Sequence, residues 1–491
     1  MAGELQRRLG GARATSAAAL LALALAGCAG GGGDLSSRAV IPPDPPKQQA
    51  EMQPAAQREH QRILGVYGGA YEDAALEAAL NQTTERLVSS SERPDLHYKV
   101  TILNSPAVNA FALPTGQLYV TRGLLALAND NAELASVLSH EMAHVIARHA
   151  AIREDQLRQA TLVSRVASDV LSDPQMGALA LAKSKIALAS FSRAQEFEAD
   201  GIGVGISSRA GFDPYGATRF LSSMERNAAL RASSSKSDPH LLDFLSSHPS
   251  TPERVRNAQL NARQYVAPGP GARDQEAYLE SLNGLVYGED PSDGFVRGRR
   301  FLHPKLGFTF TAPEGFALDN SAQAVFGIKD GGEQALRLDI VRVPPEQNLS
   351  QYLNSGWLDN IDVASVQELS INDFPAATAT ATGDQWSFRL YAVRFGTEVY
   401  RFIFAGKTRS AEFDRIAREA VASFRRMALA EIQSAKPLRL KIVTAGAHDN
   451  VERLASRMAL PDRAAERLRV LNGLGPKDKL IPGAKVKIVV E

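Results

Sequence analysis

His140-Glu141-Met142-Ala143-His144 is the stretch on which the reading of this chain turns. It continues a segment of good helical character, Asn131-Ala132-Glu133-Leu134-Ala135-Ser136-Val137-Leu138, with a plausible cap at residues 129–131. On a helix, positions four apart differ by about 40°. His140 and His144 then project side by side, one turn apart, and can share a tetrahedral Zn2+. Glu141 lies beside them, where it can take a proton from water as general base and deliver it to the leaving amine. The pattern predicts a zinc peptidase with His140 and His144 as its first two ligands.

Five residues match such a pattern by chance often enough that the third ligand matters. His149 stands about 180° around the helix from His140. The turn-forming Gly and the later His of the metzincin pattern are also missing after His144. His149 is therefore expected at the helix end or in support of a ligand. Ser192-Arg193-Ala194-Gln195-Glu196-Phe197-Glu198-Ala199-Asp200 is the better source. Glu196 and Asp200 are spaced i, i+4 and share a helix face. One can bind zinc while the other accepts the N–H of a ligating His, which fixes the imidazole tautomer. Glu198 points about 200° away from Glu196 and is expected to face solvent.

His140 to His144 followed by Glu196-Phe197-Glu198-Ala199-Asp200 resembles the gluzincin family containing HtpX, BepA and the CAAX prenyl endopeptidases. Asn109-Ala110-Phe111-Ala112-Leu113-Pro114 with Gly116 resembles that family's edge segment before the active-site helix. Ser192-Arg193 precedes the Glu as in many members. Ser247-His248-Pro249-Ser250-Thr251-Pro252-Glu253-Arg254 matches its HPxxxxR motif. The resemblance covers about residues 58–262. It implies a mainly α, zincin-type (α+β) peptidase domain with one Zn2+ per chain. It implies His140, His144 and Glu196 as ligands, Glu141 as the catalytic residue and Asp200 behind a ligand. Asn109, Ala110, Phe111 and Ala112 would form the edge to which an extended substrate backbone adds as a strand. His248 and Arg254 would lie near the cleft, where either can stabilise the developing oxyanion. In some periplasmic members the equivalent His instead occupies the open zinc position and blocks water activation, so two roles stand open for His248. The rival to proteolysis is a silenced site in a non-proteolytic envelope chaperone or scaffold, or in a peptidoglycan-binding adaptor.

At 491 residues the chain is too long for one compact domain, and two to four are expected. Arg7, Arg8 and Arg13 precede the apolar run 17–26, a secretory signal pattern. Leu25-Ala26-Gly27-Cys28 resembles a bacterial lipobox, which implies a signal peptide over 1–27 and a diacylglycerol on Cys28. Ala29, rather than Asp, then favours the outer over the inner membrane. The protein is expected in the periplasm, held to a membrane surface by its lipid. Residues 28–57, with Gly30 to Gly33, Pro42-Pro43 and Pro45-Pro46, read as a flexible tether. No other stretch reaches the roughly 20 apolar residues that span a bilayer; Lys183 and Lys185 interrupt the nearest, 178–191. With 55 Lys+Arg against 54 Asp+Glu, the chain lacks the basic excess of a nucleic-acid binder.

The peptidase domain is expected over 58–265 and a linker over 266–294, with Pro268-Gly269-Pro270-Gly271 as the break. An α+β module follows over 295–430, with strands at 308–311, 335–343, 386–395 and 398–404 and a closing helix at 411–426. It faintly resembles PsbP and Mog-type modules. The last unit, 438–491, resembles a LysM module of βααβ order, from Val443-Thr444-Ala445-Gly446 to Leu480-Ile481-Pro482-Gly483. Peptidoglycan is the partner this implies, although Gly446-Ala447-His448-Asp449-Asn450 departs from the usual Gly-Asp-Thr loop. His60, His97, His240, His303 and His448 are scattered and are expected to be structural or exposed.

Overall fold

The structure, a computed structural model, describes residues 54–156, 158–159, 191–232, 244, 248–249, 252–265, 271–321, 323–329, 331–355, 360–383, 385–460 and 462–491. Cys28, the signal segment and most of the apolar run 178–191 lie outside the described residues.

Helix α1 (Pro54–Val66) begins inside the expected tether. Its Ile63 and Leu64 pack with Leu103, Phe111 and Tyr119 of the sheet that follows, so residues 54–57 belong to the folded body. Helix α2 (Ala74–Ser89) is capped by Asp73, whose carboxylate accepts the Leu76 N–H. Strands β1 (Lys99–Leu103), β2 (Ala110–Leu113) and β3 (Gln117–Thr121) form a sheet of order β1-β3-β2. The β1–β3 pair is parallel and the β2–β3 pair antiparallel, which leaves β2 as an edge. Helix α3 (Arg122–Leu127) leads into α4 (Asn131–Ile146), the helix that carries the histidines.

Helix α4 is buried on all sides from Ala132 to Ile146, its polar residues Glu133, Ser136, Ser139, His140, Glu141 and His144 included. Asp130 caps it, accepting the Glu133 N–H at 2.8 Å. The same carboxylate meets Arg219 at 3.1 Å and Arg273 at 2.8 Å, fastening the helix start to later parts of the chain. The helix ends at Ile146, because Arg148 adopts left-handed backbone (φ 55) and no α-helix passes through such a residue. Helices α5 (Arg193–Arg209), α6 (Gly216–Ala232) and α7 (Pro252–Arg263) complete the region. A Cβ on Gly203 of α5 would stand 3.0 Å from the His140 backbone N. Glycine there lets α5 bring its carboxylates up to α4.

The expected linker is not a bare connection. It contains helix α8 (Gln275–Ser281) and strand β4 (Val286–Tyr287). Tyr278 is buried and its hydroxyl donates to the Leu125 carbonyl at 2.8 Å.

The next region contains β5 (Phe295–Arg297), β6 (Arg300–His303), β7 (Phe308–Thr311), β8 (Phe316–Asn320), β9 (Ala324–Lys329), β10 (Gln334–Val341), helix α9 (Leu349–Leu353), β11 (Ile361–Ile371), β12 (Phe374–Thr382), β13 (Ser387–Phe395), β14 (Glu398–Gly406), helix α10 (Ala411–Ala422) and β15 (Arg425–Arg426). A seven-stranded antiparallel sheet of order β11-β12-β13-β14-β10-β9-β8 accompanies a four-stranded sheet β15-β7-β6-β5. Phe301, Phe308, Phe310, Phe402 and Phe404 meet Phe413 and Val421 of α10 in the core. Helix α11 (Leu429–Ser434) connects to the terminal unit: β16 (Leu438–Thr444), α12 (Val451–Ala455), α13 (Ala464–Leu471) and β17 (Lys485–Val490). β16 pairs antiparallel with β17 on one side and with β4 on the other. The chain is thus a helical region followed by a β-rich one, and the strand from the expected linker joins the terminal sheet.

Candidate metal centre

Three elements converge at the middle of α4. This helix presents His140, Glu141 and His144, and α5 presents Glu196 and Asp200. The approach to α7 places His248, and its first turn places Arg254. All seven side chains are buried.

His140, His144, Glu196 and His248 each offer one ligand atom, and these atoms lie within 4.8 Å of one another. His144 Nε2 is 3.0 Å from His140 Nε2 and 3.6 Å from Glu196 Oε1. His248 Nδ1 is 3.0 Å from Glu196 Oε1 and 3.3 Å from His140 Nε2. Donors about 2.1 Å from one tetrahedral ion lie about 3.4 Å apart. Nitrogen donors and one carboxylate at these spacings, enclosed away from water, fit Zn2+.

Behind these donors lies a charged support. His140 Nδ1 is 3.0 Å from Asp200 Oδ1. Arg254 grips Asp200 with Nε and Nη2, at 2.8 and 2.7 Å. Its Nη1 faces Glu196 and the carbonyls of His248 and Pro249. Its donors are taken up by the carboxylates and the His248 turn. Burial alone would raise the Asp200 carboxyl, but hydrogen bonds from Arg254 and His140 outweigh it and hold it down at about 2. Burial pushes Glu141 well above the ordinary carboxylate range, and the nearby Glu196 charge adds to this. Burial also keeps His144 and His248 neutral, the form in which a histidine binds metal.

His248 sits between the other candidate donors and Glu141. Its Nδ1 joins the donor ring, while its Nε2 is 3.6 Å from Glu141 Oε1. Phe244 stacks on it at 4.3 Å between ring centroids, and Phe191 stacks on His144 at 4.1 Å. Neither phenylalanine carries a sequence signal that ties it to the site.

Within the edge segment, only Ala112 reaches the centre: its backbone N–H donates to Glu141. Asn109 and Ala110 are buried at the start of β2. The Asn109 amide donates to the Tyr67 hydroxyl at 3.0 Å. Phe111 turns to the other face of the sheet and stacks on Tyr119 at 4.9 Å. His149, expected at the helix end or in support of a ligand, lies against the candidate ligand His144, and Glu198, expected to face solvent, is part-exposed and meets His149. His149 Nε2 is 3.3 Å from Glu198 Oε2, and His149 Nδ1 is 2.9 Å from His144 Nδ1. An ideal helix continued past Ile146 hides this contact; the left-handed Arg148 produces it.

Residues 74–262 match the family model for peptidase family M48. Over 222 residues the chain is 33% identical to a beta-barrel assembly-enhancing protease of Escherichia coli (strain K12), covering 43% of this chain and 44% of that protein. A protein of the same name from Yersinia pestis is 31% identical over 228 residues, 44% of this chain and 45% of the relative. The mitochondrial metalloendopeptidase OMA1 of Schizosaccharomyces pombe is 31% identical over 208 residues, 42% of this chain and 59% of the relative. The chain therefore spans about half the length of the curated relatives it matches. Among solved structures, cyanobacterial PsbP (CyanoP) from Synechocystis sp. PCC 6803 matches at 12% identity over 27% of this chain and 98% of that one. Its TM-score of 0.20 is too low to support a shared fold.

Proposed function

We propose, from the premise that residues 74–262 belong to peptidase family M48, that this chain is a zinc-dependent endopeptidase of the bacterial envelope whose active site rests closed. The carrying observation is the ring of His140, His144, Glu196 and His248 donors with Glu141 beside it. Bound at the first three, zinc supplies Lewis acidity toward the peptide carbonyl and toward water. Asp200, pinned by Arg254, holds the His140 ring with Nε2 toward the donors. Glu141 takes the proton of the attacking water and returns it to the leaving amine. Strand β2 lies against Glu141 through Ala112, so a substrate strand added to this edge passes over the general base. His248 would supply a fourth donor to the ion, and its withdrawal would open the site.

The lipobox-like Cys28 supports anchoring to a membrane surface facing the periplasm, with the outer membrane favoured. The bacterial relatives are named as proteases that enhance beta-barrel assembly, which supports proteins of that assembly as substrates, with quality control of envelope proteins as the role. No helix among the described residues is long and apolar enough to cross a membrane. The βααβ order of the terminal unit supports a LysM-like module with peptidoglycan as its ligand, measurable as retention on purified sacculi.

Glu141→Gln tests the central claim. The variant is expected to hold zinc as the wild type does while casein cleavage falls to background, because the amide accepts no proton. Cleavage at the wild-type rate would refute the assignment. Glu196→Ala is expected to lose zinc, read by elemental analysis.

A further inference from the structure

We infer that His149 and Glu198 form a hydrogen-bonded relay that fixes the tautomer and orientation of His144, which makes them positioning residues for the metal. The inference rests on the zinc site proposed above.

His144 turns Nε2 toward the other donors, 3.0 Å from His140 Nε2. A ligating nitrogen carries no proton, so the proton of neutral His144 belongs on Nδ1. That atom lies 2.9 Å from His149 Nδ1. For this to be a hydrogen bond, His149 Nδ1 must accept, which places the His149 proton on Nε2. His149 Nε2 in turn faces Glu198 Oε2 at 3.3 Å. A carboxylate only accepts, so the chain of three groups admits one proton arrangement. That arrangement leaves His144 Nε2 free to bind metal.

The surroundings agree. His149 is 1% exposed, so water does not compete for its Nδ1. The left-handed Arg148 (φ 55) folds the chain back to make the contact. A non-glycine residue is strained in that backbone. Phe191, over which Arg153 sits at 4.4 Å, covers the His144 face.

The two ligating histidines are thereby supported differently. His140 is backed directly by a carboxylate that Arg254 keeps ionised. His144 is backed by a neutral imidazole, and its relay ends on a carboxylate whose side chain is 36% exposed.

The test uses the full chain, stripped with a chelator and titrated with zinc against a chromogenic chelator. His149→Phe keeps the ring volume but has no acceptor, and is expected to weaken zinc affinity about 10- to 100-fold. His149→Asn, whose amide oxygen can accept the His144 Nδ1–H, is expected to recover most of the loss. Glu198→Ala, at a part-exposed position that leaves the packing intact, is expected to weaken binding less than His149→Phe. Nitrogen-15 NMR of labelled histidines in the metal-free protein supplies a second readout. His144 is expected as the pure Nδ1–H tautomer in the wild type and as a mixture in His149→Phe. Wild-type affinity in both His149→Phe and Glu198→Ala would overturn the relay. A wild-type protein that binds no zinc would overturn the metal-site reading itself, a different result from the first.

Discussion

His248 contributes a donor at the centre and a neighbour to Glu141, so its removal is informative in both directions. If it closes the site, His248→Ala frees the fourth position while His140, His144 and Glu196 remain. Basal cleavage of an unfolded protein substrate is then expected to rise about tenfold, equivalent to about 1.4 kcal/mol of removed competition. If His248 were an oxyanion donor, the same variant would lose about 100-fold or more. The direction of change decides between the two roles that the sequence leaves open. His149 shows the opposite case. Its spacing from His140 correctly removes it from the ligands, yet its contact with His144 depends on a backbone angle at Arg148 that no residue type announces.

Strand β6 places His303 between aromatic rings, with Phe308 at 5.4 Å and Phe301 at 6.1 Å between centroids. Its Nδ1 accepts the Leu306 N–H at 3.3 Å. Burial, helped by the nearby Lys305 charge, lowers its pKa from 6.5 to about 4. The unfolded chain therefore binds the extra proton first as pH falls. Stability from this neutral histidine is complete above about pH 6.5 and is lost on descent toward pH 4. The shift corresponds to at most about 3 kcal/mol. Urea unfolding of His303→Gln is expected to be flatter than that of the wild type across this window and parallel to it above pH 7. Equal slopes would show that His303 is accessible to protons in the folded state. At this scale four of the eleven strands from β5 to β15 are legible, 308–311, 335–343, 386–395 and 398–404, as apolar or alternating runs between turn residues. The β11–β12 hairpin was not read as a pair. Its Asn372-Asp373 turn has positive φ at both residues, a recognisable hairpin signal, but exposed polar residues along β11 dilute the strand pattern.

Across the whole molecule, the terminal unit is docked on the peptidase region through a charge. Lys487 of β17 is fully buried, and its ammonium donates to the carbonyls of Ala128 at 2.7 Å and Ala126 at 2.8 Å. These carbonyls end α3, where the helix dipole favours a cation. Burial lowers the Lys487 pKa, while Glu133 and Asp130 at the start of α4 draw it back up. Arg226 adds a bond to the Gly473 carbonyl at 3.2 Å, and β4 adds a strand to the terminal sheet. Lys487→Met would leave several buried acceptors unpaired and remove a cation from two buried acids. A loss of about 3 kcal/mol in urea unfolding is expected. Deleting 438–491 is expected to lower the melting temperature of the peptidase region by circular dichroism. A peptidase region that melts unchanged after that deletion would show the docking to be incidental.

The sequence by itself determined the chemistry. Spacings of four along a helix place His140 beside His144 and Glu196 beside Asp200, because helical geometry is local and repeats without reference to the rest of the chain. The tertiary structure decided how those groups are supported and brought together. Lys487 is buried because its partners are carbonyls some 360 residues away, which nothing in its own strand announces. Arg254 reads as a cleft residue and proves to be the clamp on Asp200 and Glu196. His248 reads as either activator or block, and its place among the metal donors depends on α4, α5 and the approach to α7 meeting. Such contacts depend on which elements pack together, and no spacing within one element encodes them.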